Sequence, residues 1–170
     1  TDFSDNAKHA AEYAYNLANG LKANLVLCNA LVVLAEIPDT GMVAMPAGEY
    51  DELAKDSSEE LELLKGSFAK TDRPDSFQPA IICISEAGTV GDVVDNATGK
   101  EDVGLIVMGT HGSGGLGTFL LGNHSRRMID EANKPLLLIP KSASIKPIKK
   151  VAFATDFKHP DKDLKVLYEL

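Results

Sequence analysis

Four short aliphatic runs, separated by helix-patterned segments, constrain this chain more than any other feature. Residues 24–33, 80–85, 105–108 and 136–139 are almost unbroken in apolar side chains. A strand with one wet face alternates in polarity, whereas a strand covered on both faces does not. Helical spacing fills the segments between them. Ser4 is a plausible cap, followed by Ala7, Ala11, Ala14, Leu17 or Ala18, and Leu21, with Gly20 near the end. Residues 50–70 carry Leu53, Leu61, Leu64 and Phe68 on one stripe of an acidic helix. Residues 90–98 and 123–132 complete the set. Alternating strands and helices predict an α/β fold: a Rossmann-like open parallel sheet of about five strands with helices on both faces.

Composition bears on partners. The chain carries 17 Lys and Arg against 25 Asp and Glu, a net charge of −8. Non-specific nucleic-acid binding needs a basic surface, so no nucleic-acid partner is expected. No apolar run reaches the ~20 residues of a membrane span and no secretory signal opens the sequence, so a cytoplasmic location away from membranes is expected. Cys28 and Cys83 lie in strand-like runs without metal-ligand spacing and read as two buried, reduced thiols.

The end of the chain repeats its start. Thr155-Asp156-Phe157 matches Thr1-Asp2-Phe3 and follows the apolar run Val151-Ala152-Phe153-Ala154. The reading is one domain over residues 1–141 that lacks its first strand, and a linker over 142–148. Residues 149–170 then supply the first strand and helix start of a second repeat. That late strand has the character to complete the first sheet, within one molecule or in a domain-swapped partner.

The chemistry concentrates after the third run. Met108-Gly109-Thr110-His111-Gly112 leads through a glycine-rich stretch to Gly122-Asn123-His124-Ser125. Glycines let backbone approach a ligand closely, successive free N–H groups make an anion site, and a helix start favours negative charge. Ligands of open parallel sheets sit at the carboxyl ends of strands. A phosphate-bearing ligand follows, with a plain surface loop as the alternative. The P-loop is excluded because Asn123 stands where Lys is needed, and G-x-G-x-x-G is absent after the first run.

Gly109-x2-Gly112-x9-Gly122 followed by a small polar residue resembles the nucleotide-binding signature of the universal stress protein family. Lys134-Pro135 before Leu136–Ile139, and the run ending Ala154-Thr155-Asp156-Phe157, are similar to it as well. The resemblance implies a parallel α/β sheet, a homodimer or domain-swapped assembly, tandem-domain membership, and binding of ATP, AMP or ADP with or without Mg²⁺. It places Asp2, or Thr155 and Asp156 if the late strand fills the slot, beside the nucleoside. Ala30 lines the adenine pocket, and Met108 and Gly109 flank base and ribose. Gly112, Gly122, Asn123 and Ser125 fall at the phosphates, and Thr110 is counted among the nucleotide-binding residues. His124 is either a phosphate contact or a helix-start residue. The family carries Ser or Thr where this chain has Asn123; its amide still donates, and weakened binding is expected. Stress-response regulation with at most slow ATP hydrolysis is the first reading. A protein-interaction module with a vestigial phosphate loop is the alternative. An adenylating enzyme is the least favoured.

Overall fold

The computed structural model describes residues 1–31, 47–68, 77–110 and 121–152. In chain order the elements are α1 (Asp5–Leu21), β1 (Leu25–Leu31), α2 (Ala47–Phe68), β2 (Ile81–Ala87), α3 (Val90–Lys100), β3 (Ile106–Gly109), α4 (Asn123–Glu131) and β4 (Leu136–Ile139). The strict alternation of strand and helix is the expected α/β class.

The sheet differs from the expected single one of about five strands. The described residues form two parallel pairs, β1 with β2 and β3 with β4. Leu27 lies opposite Cys83 in the first pair, and Met108 opposite Leu138 in the second. Alternation along β1 shows why it has an open side. Leu25 N–H donates to Ala80 and Leu31 C=O accepts from Gly88, so these residues face β2. Val26, Cys28 and Ala30 therefore turn their main-chain groups the other way. There Thr1 N donates to Cys28 O, a single strand-like contact in the slot beside β1. Residues 149–152 do not fill that slot in this molecule: they are exposed and in no strand.

The open side also changes burial. β1 is half-buried, with Leu27 and Asn29 its buried residues. Ala11, Tyr15, Leu27, Leu61, Leu64 and Phe68 form a core between α1, β1 and α2, joined by Phe3, Leu25, Ile81 and Cys83. The rings of Tyr15 and Phe68 stack with centroids 4.8 Å apart and planes 10° from parallel. Leu21 and Leu53, expected on apolar stripes, are 54% and 41% exposed. Leu21 lies in the last turn, beyond the reach of the core. Cys28 and Cys83 are half-buried rather than buried. Partial burial pushes both thiols above the usual range.

Helix ends follow local chemistry. Ser4 Oγ accepts from Ala7 N–H, as its position suggests. The far end of α1 is closed by Lys22 in the left-handed region (φ 56°), not by Gly20, and the Ala23 N–H returns to Ala18 O. Thr89 and Asp92 form a reciprocal capping box on α3. Thr89 Oγ1 and N–H both donate to Asp92 Oδ2, at 2.7 and 3.1 Å, and Asp92 N–H donates to Thr89 Oγ1. These bonds hold the Asp92 carboxyl below its ordinary value. Its stabilising effect is therefore present above the ordinary Asp range and is lost as pH falls through the depressed value. Removing the cap with Thr89→Ala should cost about 1 kcal/mol at neutral pH. Urea unfolding at pH 7 and pH 3 should show the deficit shrinking in acid.

Candidate functional site

The ends of the glycine-rich loop are pinned together. β3 stops at Gly109, and Thr110 continues its register, its N–H donating to Ile139 O at 3.1 Å. After the loop, Gly122 N–H donates back to Thr110 O at 2.9 Å. Gly122 is also the N-cap of α4, in extended conformation and with no side chain to cap the helix. Ser125, only 3% exposed, donates its hydroxyl to Gly109 O at 2.9 Å. The first turn of α4 is thereby fixed against the carboxyl end of β3. First-turn N–H groups have no partners within their own helix, so the geometry favours an anion there.

The expected site residues divide by position. Met108, Gly109, Thr110, Gly122, Asn123, His124 and Ser125 gather where β3 gives way to α4, with Asn123 and His124 exposed. Ser125 uses its proton to hold Gly109, so toward a ligand it offers its main-chain N–H. Ala30 lies half-buried in the open edge of β1. Asp2 is exposed beside β1, and its Oδ1 accepts from Ser4 N–H and Ser4 Oγ. Gly112, His111, Thr155 and Asp156 lie outside the described residues.

A cleft of about 460 Å³ opens beside this region, lined by Ala87, Gly88, Thr89, Asp92, His124 and Arg127 among others. Sequence reasoning had His124, but it missed the Ala87–Asp92 wall. The pattern Thr89-x2-Asp92 is a capping signature and could have marked that wall as a helix start. The two helices meet closely there: a Cβ on Gly91 would lie 3.0 Å from Glu131 Oε2. Arg127 Nε donates to both Glu131 carboxylate oxygens at 2.8 Å.

Adenine nucleotides need donors for phosphate and acceptors for ribose hydroxyls and the base amine. The first turn of α4 supplies donors. Asp2 offers a carboxylate in the turn before α1. Among the described residues no cluster of three His, Cys, Asp or Glu side chains is placed to hold a metal, and no helix is long and apolar enough to cross a membrane.

The family model of the universal stress proteins matches residues 1–140. The chain belongs to the universal stress protein family. A universal stress protein of Thermus aquaticus is 32% identical over 139 residues, covering 81% of this chain and 93% of that protein. One from Methanocaldococcus jannaschii is 31% identical over 142 residues, covering 83% and 79%. Among solved structures, one from the universal stress protein family of Burkholderia pseudomallei superposes with a TM-score of 0.58 at 20% identity, covering 82% of this chain and 91% of that one. A universal stress protein crystallised with cAMP gives 0.57 at 19%, covering 82% and 92%. These structural likenesses establish the α/β fold of this universal stress protein. The family match spans a single domain, so the expected tandem arrangement is not part of what the match shows.

Proposed function

We propose that this universal stress protein binds ATP or another adenine nucleotide at the β3–α4 junction, and that occupancy regulates a stress response with at most slow hydrolysis. One observation carries the reading: the Gly122 N–H bond to Thr110 O places the start of α4 directly at the carboxyl end of β3. Phosphates would sit on the first-turn N–H groups of α4, and the nucleoside would extend toward Ala30 and Asp2. A relative in the same fold was crystallised with cAMP, an adenine nucleotide. The test is acid extraction of the purified chain with mass spectrometry of what is released, alongside an ATP titration. Co-purified ATP, ADP or AMP, or saturable micromolar binding, is the expected result. An empty extract and a flat titration would leave the interaction-module reading.

Residues 149–170 bear on how the sheet is completed. Their repeat of Thr-Asp-Phe supports reading them as the start of a second repeat, and their apolar run has the character of a strand that could complete the sheet beside β1. In a homodimer the run would enter the slot of the partner molecule. Deleting residues 149–170 should lower thermal stability and shift the elution volume toward monomer. An equally stable chain of unchanged size would refute this assignment.

A further inference from the structure

Asn29 is a polar residue inside an aliphatic strand, and it is 7% exposed. Its side chain connects three elements. Asn29 Nδ2 donates to Thr1 O at 2.7 Å. Asn29 Oδ1 accepts from Ser57 Oγ of α2 at 2.8 Å. Ser57 Oγ also lies 2.8 Å from Ser85 Oγ of β2. Proton counting gives the chain one direction. Thr1 O can only accept, so the amide of Asn29 must turn its nitrogen to Thr1 and its oxygen to Ser57. Ser57 then spends its single proton on Asn29, and Ser85 must donate to Ser57.

The chain ends on the carbonyl immediately before Asp2. On the other side of that peptide the turn is held again: Phe3 N–H donates to Thr1 Oγ1 at 3.1 Å, and Ser4 N–H and Oγ reach Asp2 Oδ1 at 3.1 and 2.6 Å. Phe3 itself is forced into the left-handed region, φ 59°. A bulky residue adopts that conformation only where its surroundings impose it.

We propose that Ser85, Ser57 and Asn29 form an ordered hydrogen-bond chain that positions the Thr1–Phe3 turn, and with it the Asp2 carboxylate, for the nucleoside end of the ligand. Asn29 and Ser57 are positioning residues. The inference rests on the nucleotide reading above and deepens it: the buried face of α2 sets base and ribose recognition, while α4 sets phosphate binding. A turn held ready in advance spares the ligand the cost of ordering it.

The test separates the two ends of the ligand. ATP and inorganic tripolyphosphate are titrated into the full chain and into Ser57→Ala, Asn29→Leu and Ser57→Thr, with melting temperatures recorded. Ser57→Ala and Asn29→Leu should weaken ATP binding about tenfold and leave tripolyphosphate binding unchanged, and Ser57→Thr should keep wild-type affinity. Should Asn29→Leu fail to fold, the milder Ser57→Ala carries the comparison. Unchanged ATP affinity in both variants overturns the inference while sparing the nucleotide reading. Equal weakening of both ligands also overturns it, because it marks a purely structural role. A wild-type chain that binds neither ligand fails the nucleotide reading itself, and this inference with it.

Discussion

Gly122→Val abolishes nucleotide binding and leaves the fold in place; this is the expected result of the most direct test of the site. Gly122 is the cap of α4 and the point where the loop returns to Thr110. Its backbone is in the ordinary extended region, φ −61° and ψ 154°, so a Val can be built there without a left-handed conformation. What a branched side chain removes is close approach. Phosphate on a helix start depends on main-chain N–H groups reaching it directly. Losing two charge-assisted hydrogen bonds, each about 1.5–3 kcal/mol, weakens binding on the order of a hundredfold or more. Titration calorimetry gives the affinity and a melting curve checks the fold. Retained affinity would remove the β3–α4 junction from the site.

Phe68→Ala should produce the largest loss of stability. Phe68 is 3% exposed and stacks on Tyr15, so its ring joins the last turn of α2 to α1. Truncating a buried aromatic costs about 3–5 kcal/mol, and the lost stacking adds roughly 0.5–1.5 kcal/mol. A domain of ordinary stability has only about 5–15 kcal/mol to lose. Leu63, on the same helix and 70% exposed, is the control. Its replacement by Ala should change stability by about 0.5 kcal/mol or less. Urea unfolding of both variants decides the matter, and equal effects would contradict the assigned core.

Elements were legible where periodicity and capping act locally. β4 at Leu136–Ile139 and the starts of α3 at Val90 and α4 at Asn123 coincide with the sequence reading. Leu21 and Leu53 show where periodicity stops short, since a stripe records which residues share a face but not how far the covering element extends. Ser125 reads as a phosphate ligand by type, yet its hydroxyl serves Gly109. Asn29 was hidden in an apolar run because its partners come from α2 and the turn before α1. The Ala87–Asp92 wall of the cleft escaped notice for the same reason: its meaning depends on α4 lying opposite. Local order is written in neighbouring residues, whereas a site is written in residues that only the fold makes neighbours.

The two strand pairs share no ladder among the described residues, yet α1 touches both β1 and β3, and α3 touches β1, β2 and α4. Among the described residues, cohesion between the pairs therefore passes through helix side chains. Dispersion contacts fade over fractions of an ångström, whereas a ladder yields bond by bond. α1 makes its bridge with small residues, burying Ala10, Ala11, Ala14 and Ala18 beside Tyr15. Enlarging one of these alanines would loosen the pairs from each other before either melted. Amide exchange would then resolve into two independently opening halves.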